Sequence, residues 1–190
     1  MSNKPLKAIG ICGSLRKNSW NLKLLTLALK TLESNGVQTE FFDLSNLPIF
    51  NSGKNTPGEF PQTVSALRDK VSNSDLLIIS SPEYNNSISG ALKSAIEWLS
   101  LSPNTIDSKI SYIMGCSPGR SGAMRMHMQL SYILESEGVF LIPTPRVLLP
   151  NIETLISESG AVIQQELQEL MTEAMQKAIK ISKKFQSNSL

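Results

Sequence analysis

The residues best suited to chemistry cluster in one short stretch. Gly13-Ser-Leu-Arg-Lys-Asn-Ser-Trp-Asn21 carries hydroxyls at Ser14 and Ser19, an amide at Asn21 and a guanidinium at Arg16. An apolar run precedes the stretch and leucines at helical spacing follow it, so it reads as a turn from a strand into a helix. Backbone N–H groups at a helix start point at an anion, and Arg adds a charge-assisted bond, a set that suits a phosphate. Taken alone, the same residues also describe a capped turn with a solvated arginine.

Three rival phosphate chemistries lose support from the spacing. Gly10 is followed by Ile11, Cys12 and Gly13, which does not make a G-x-G-x-x-G loop, and no G-x-x-x-x-G-K occurs. A cysteine-phosphatase cradle needs Arg six positions after its nucleophile, but Asn18 follows Cys12 and Gly122 follows Cys116 at that spacing.

Two more loops offer material for a ligand. In Pro82-Glu-Tyr-Asn-Asn-Ser87, Pro82 restricts the backbone and Tyr84 presents an aromatic face, so the loop could border a flat heterocycle. An ordinary polar turn is the alternative. Ser117-Pro-Gly-Arg-Ser-Gly122 has two glycines that permit close backbone approach, or simply a flexible connection.

The elements that position these loops follow from periodicity. Short apolar runs predict strands at 7–12, 37–42, 75–80, 109–116 and 139–142. Helical spacing predicts helices from Ser19 to about 35, and over 60–72, 88–101, 123–137 and about 160–184, with Asn18 or Ser19 as the first N-cap and Gly36 as its stop. Segments 43–58 and 143–159 read as irregular. Strands alternating with helices give an α/β fold, a doubly wound five-stranded parallel sheet in the order 2-1-3-4-5 with helices on both faces. In that order the first, third and fourth strands are neighbours, and the loops 13–18, 82–87 and 117–122 emerge at one edge. No linker or repeat interrupts the chain, so residues 1–190 are expected to form one domain.

Composition narrows the function classes. The chain is 41 % apolar and 18 % charged, with a net charge of +2 and no basic block, which gives no support to a nucleic-acid or membrane-surface partner. No apolar run reaches the roughly 20 residues of a membrane span, and no signal peptide is apparent at the N-terminus. Two cysteines are too few for a disulfide framework, so the cytoplasm is the expected compartment. Cys12 and Cys116 end strands separated by one neighbour, roughly 10 Å apart, too far for a bond, and read as small core residues. His127 is the single histidine and has no Cys/His cluster around it, so no metal site is expected.

At these residues the chain resembles the NAD(P)H-dependent FMN reductase family, with its azoreductase-like, quinone-reductase and chromate-reductase-like members. The matching pieces are 13–21, Leu-Pro-Ile-Phe at 47–50, the block Pro-Glu-Tyr-Asn-Asn-Ser-Ile-Ser-Gly-Ala-Leu-Lys-Ser-Ala-Ile-Glu-Trp at 82–98, and 117–122. The resemblance spans roughly residues 7–180. It implies a flavodoxin-like fold, with an FMN phosphate held by Ser14, Arg16, Ser19 and Asn21, and Leu15 and Trp20 in the same loop. It further implies that Pro82, Glu83, Tyr84 and Asn85 border the isoalloxazine, with Ser117 and Gly119 on its other side. Ser89, Ser94 and Ala123 depart from the family, which commonly has Pro, Asn and Gly there. The first two are expected to touch only helix entry, and Ala123 to alter the floor beside the flavin.

The implied reaction takes hydride from NADPH or NADH onto FMN and passes electrons to a small acceptor such as a flavin, quinone, azo compound or metal oxyanion. The cofactor carries that chemistry, so no catalytic side chain is expected, although backbone N–H groups near 117–120 are candidates to stabilise the reduced ring. The alternative is a flavodoxin-like electron-transfer or redox-sensing module that uses no nicotinamide. Trp98, Leu99 and Leu101 on one helix, and Met124, Met126, Met128, Tyr132 and Ile133 on the next, supply more apolar surface than a sheet face needs. A homodimer through helices 88–101 and 123–137 is expected, and the family resemblance allows a homotetramer.

Overall fold

The computed structural model describes residues 5–54 and 59–188. Six strands form one sheet: β1 (Lys7–Cys12), β2 (Gln38–Phe42), β3 (Leu76–Ser80), β4 (Ile110–Cys116), β5 (Phe140–Leu141) and β6 (Leu148–Leu149). Their order is β2-β1-β3-β4-β5, every pairing is parallel, and β6 joins the far end of β4. This is the doubly wound flavodoxin-like order expected from the sequence. The central strands β3 and β4 are buried along their whole length, which is why they read as continuous apolar runs.

Alternate residues of the sheet feed two cores. On one face Ala8, Cys12, Ile78, Tyr112 and Met114 pack beneath α1 (Trp20–Ser34) and α5 (Gln165–Asn188). On the other, Ile9, Ile11, Leu77, Ile79 and Ile113 pack beneath α2 (Gln62–Ser72), α3 (Gly90–Ser100) and α4 (Met124–Ser136). Both faces being covered follows from right-handed crossovers between parallel strands.

Local chemistry fixes where the helices start. Ser19 is the N-cap of α1, its hydroxyl accepting from Leu22 N–H at 3.2 Å, and Asn18 stands outside. Ser89 caps α3 in the same way and also donates to the carbonyl of Gly13, so it ties the helix entry to the first loop. Arg68 from α2 is 5 % exposed and donates to the carbonyls of Trp98, Leu99, Leu101 and Pro103. It thereby satisfies acceptors that the end of α3 leaves without helical partners.

Several expectations are corrected. The last helix begins at Gln165 rather than near 160, because residues 156–162 turn back on themselves through an Ile156–Val162 bridge. β5 is a two-residue strand, and β6 lies in a stretch read as irregular. Trp98 and Leu99 are not surplus surface: both are 2 % exposed, and Trp98 donates to the carbonyl of Pro48 while its ring meets Phe50 edge-on. Ser94 does not serve helix entry but takes the N–H of Phe50 at 2.6 Å, pinning the 47–50 segment onto α3. Of the segment 43–58, residues 55–58 lie outside the described residues, and the remainder includes short 3-10 turns at Leu44–Asn46 and Ser52–Lys54. Among the described residues no helix is long and apolar enough to cross a membrane, and no group of three or more His, Cys, Asp or Glu could hold a metal ion.

Candidate functional site

The three loops meet at the carboxyl edge of the sheet, around a cleft of about 160 Å³. The first loop contributes Ser14, Arg16, Asn18, Ser19, Trp20 and Asn21 to its lining; the second contributes Pro82, Glu83 and Tyr84. Cys116, Ser117 and Pro118 close it from the end of β4. The loops also touch across it, since the Ser14 and Tyr84 hydroxyls stand 3.5 Å apart. Leu15, Asn85 and Gly119 fall outside the lining. Sequence reasoning passed over Asn18 and Pro118, whose only signal was their place inside the loop motifs, and Cys116, which it read as a core residue.

The first loop is rich in donors. Ser14 is 8 % exposed and its hydroxyl receives the N–H of Arg16. The Arg16 guanidinium is exposed and forms no hydrogen bond or ion pair within the described residues. The N–H groups of Trp20 and Asn21, the first two of α1, have no intrahelical acceptor. A free cation beside a helix start and two hydroxyls is the donor set a phosphate requires. The residues present therefore fit the phosphate end of a flavin nucleotide. A cleft of this size encloses less than the roughly 300–1,000 Å³ usual for a whole cofactor, so a larger ligand extends past it.

Asn21 behaves differently from the expectation of a phosphate ligand. Its side chain is committed to the ends of β3 and β4, donating to the Cys116 carbonyl and accepting from Cys116 N–H and the Ser80 hydroxyl. Ser117 N–H is likewise taken, by the carbonyl of Leu149, which leaves Gly119, Arg120, Ser121 and Gly122 as the N–H donors of that loop not bonded within the described residues.

The second loop is a tight hairpin. Tyr84 and Ser87 exchange both backbone hydrogen bonds, and Asn85 and Asn86 between them adopt φ of 49° and 64°. Asparagine tolerates the left-handed region that such a two-residue turn demands. α4 holds the hairpin from outside. Glu83 accepts from the N–H of Arg125 and Met126 and from the Arg125 guanidinium at 2.7 Å, while Gln129 bonds Ser87 and the carbonyl of Asn86. Burial raises the Glu83 pKa, but the bonds from Arg125 and Met126 outweigh it and the net shift is downward. Glu83 thus caps a helix whose own N-cap, Ala123, has no capping side chain and sits at φ 66°. Ala123 is fully buried against Gly115, where an added Cβ on Gly115 would lie 2.8 Å away.

Both cysteines lie in the apolar core rather than in an activating environment. Burial raises Cys12, against bonds from Ser14 N–H and the Ser19 hydroxyl, and burial together with Cys12 raises Cys116. A thiol held protonated is a poor nucleophile. A wider groove of about 450 Å³ lies at the other end of β1 and β2, where Lys70 and Glu40 neutralise each other.

The comparisons with known proteins agree with this fold. Residues 6–154 match the model of the NADPH-dependent FMN reductase family, and the chain belongs to that family. It is 38 % identical over 138 residues to the NAD(P)H:quinone oxidoreductase of Solanum tuberosum, covering 72 % of this chain and 69 % of the relative. It is 32 % identical to an NAD(P)H-dependent FMN reductase of Pseudomonas aeruginosa, covering 90 % of this chain and 92 % of that one. In structure it is similar to FerB, a flavoenzyme NAD(P)H:(acceptor) oxidoreductase from Paracoccus denitrificans, with a TM-score of 0.84 at 25 % identity over 94 % and 98 % of the two chains. FMN and a reduced nicotinamide are the cofactors that the family implies, which favours the oxidoreductase reading over a nicotinamide-independent electron carrier.

Proposed function

We propose that the cleft holds FMN, with its phosphate among Ser14, Arg16, Ser19 and the start of α1. Its ring lies beside the Pro82–Asn85 hairpin and the Ser117–Gly119 loop. Bound there, FMN supplies the chemistry, taking hydride from NADPH or NADH and passing electrons to small acceptors such as flavins, quinones, azo compounds or metal oxyanions. The protein's part is to bind, orient and shield. Arg16 and the first-turn N–H groups hold the phosphate, Glu83 and Gln129 hold the hairpin through α4, and the N–H groups of Gly119 and Arg120 face developing negative charge. No side chain is asked to carry a proton.

The observation that carries this reading is the uncommitted Arg16 guanidinium at the start of α1, in one cleft with Ser14, Ser19 and Tyr84. Acid release and chromatography of the bound flavin test it, expecting about one FMN per chain; FAD alone, or no flavin after reconstitution, overturns it. Arg16→Ala is expected to weaken FMN by about 1.5–3 kcal/mol, as for a hydrogen bond to a charged group, and to spare riboflavin, which lacks the phosphate. Equal losses for both would move Arg16 away from the phosphate.

The same reading extends to assembly. Met124, Met128 and Tyr132 are 43 %, 66 % and 75 % exposed and recur every four residues along α4, which supports a homodimer or homotetramer formed on that helix. A single domain working in the cytoplasm completes the proposal, supported by two unpaired, buried cysteines.

A further inference from the structure

β3 and β4 stay in register only as far as Ser80 opposite Met114. After one more bond, from Ser81 N–H to the Met114 carbonyl, β3 departs into Pro82, which has no N–H to offer. β4 runs on to Cys116, whose flanking residues bond outward, Gly115 N–H to Val147 and Ser117 N–H to Leu149. The peptide groups of Cys116 on the β3 side are therefore buried with no strand to pair them. A buried backbone group left in that state is costly.

Asn21 fills the gap. Its Oδ1 accepts from Cys116 N–H at 3.1 Å, its Nδ2 donates to the Cys116 carbonyl at 3.1 Å, and Oδ1 also takes the Ser80 hydroxyl at 3.2 Å. The side-chain amide thus serves as one more rung of the ladder, contributed by the first turn of α1. Asn21 is 4 % exposed and lies two residues after the Ser19 cap. The rung joins the start of the phosphate loop's helix to the last residue before Ser117. We propose that Asn21 is a positioning residue that sets the spacing between the first and third loops, and so the fit of the whole flavin, and that it is not a phosphate ligand. This rests on the reading of the cleft as the FMN site.

The test measures binding of FMN and of riboflavin to the flavin-stripped full-length chain, for wild type, Asn21→Ala and Asn21→Asp. Asn21→Asp keeps the acceptor for Cys116 N–H and Ser80 but turns a carboxylate oxygen toward the Cys116 carbonyl, so it guards against a simple failure of Asn21→Ala to fold. Both variants are expected to weaken both ligands by a similar factor, about tenfold for Asn21→Ala, comparable to the loss of one or two hydrogen bonds. The 31P resonance of bound FMN is expected to keep its wild-type shift in Asn21→Ala, and the Cys116 amide to exchange faster with solvent before any flavin is added. Loss of FMN affinity alone, or a moved 31P resonance, would make Asn21 a phosphate ligand and overturn the proposal. Unchanged affinities in a folded variant would make the rung merely structural and overturn it equally. Failure of the wild-type chain to bind either flavin would refute the FMN reading and with it the positioning role, while the exchange rate of Cys116 would still report whether the rung exists.

Discussion

Removing the Glu83 carboxylate is expected to loosen the hairpin and α4 together. In Glu83→Ala, the N–H groups of Arg125 and Met126 lose their acceptor and Arg125 loses its ion pair. Loss of an N-cap costs about 1 kcal/mol. The pair adds little, roughly 0.5 kcal/mol, because the Arg125 side chain is 57 % exposed and screened by solvent. The expected loss is therefore about 1.5 kcal/mol in urea unfolding, equivalent to a fall in Tm of about 3–6 °C for a chain of this size. Glu83→Gln keeps an acceptor oxygen and isolates the charge. The folded-state pKa of Glu83 lies below its ordinary value of 4.5, so its charge stabilises fully above that value and ceases to do so as pH falls through the folded pKa. The gap between wild type and Glu83→Gln should hold constant from neutral pH down to about pH 5 and close below it. A loss under about 0.5 kcal/mol for Glu83→Ala, or a gap that persists unchanged into strong acid, would refute the capping role.

Ala123→Gly should stabilise the chain by about 1 kcal/mol, because a left-handed backbone costs a Cβ-bearing residue that much; chemical denaturation measures it, and a net loss would mean the buried methyl outweighs the strain. Both thiols should resist alkylation at neutral pH in the native state and react on unfolding, and Cys12→Ala with Cys116→Ala should retain NAD(P)H oxidation. Abolished turnover in a folded, FMN-loaded double variant would contradict a flavin-only mechanism. Tyr132→Glu should shift the mass in light scattering toward the monomer, since a charge set in an apolar contact must be desolvated; an unchanged mass would place the interface elsewhere.

The sheet order and the convergence of the three loops were legible because they depend on local patterns: apolar runs for β1, β3 and β4, and the Ser19 cap with the leucine spacing after it. What the sequence hid depends on distant pairing. Leu148–Leu149 becomes a strand only because β4 extends beyond its other neighbours, and two residues among prolines carry no periodicity. Trp98 looked like spare surface because the segment that covers it, Pro48 to Phe50, lies far away in the chain. Asn21 has the right chemistry for a phosphate and for a peptide group alike, and only the end of β3 decides between them. Glu83 sits in a motif that the family resemblance sets at the flavin edge, yet its carboxylate serves a helix that begins some forty residues later.

α4 carries two adjacent rows of side chains. Met124, Met128 and Tyr132 face outward, while Arg125 and Gln129, each one position on, grip the hairpin. Successive helical residues differ by about 100° of rotation, so the rows are fixed relative to each other. A partner that turns or shifts this helix by pressing on the first row must carry the second row with it, and Glu83 and Asn86 follow. In an assembly formed on α4 the helix would act as a crankshaft, and the shape of the hairpin would become a property of the assembled particle as well as of the single chain.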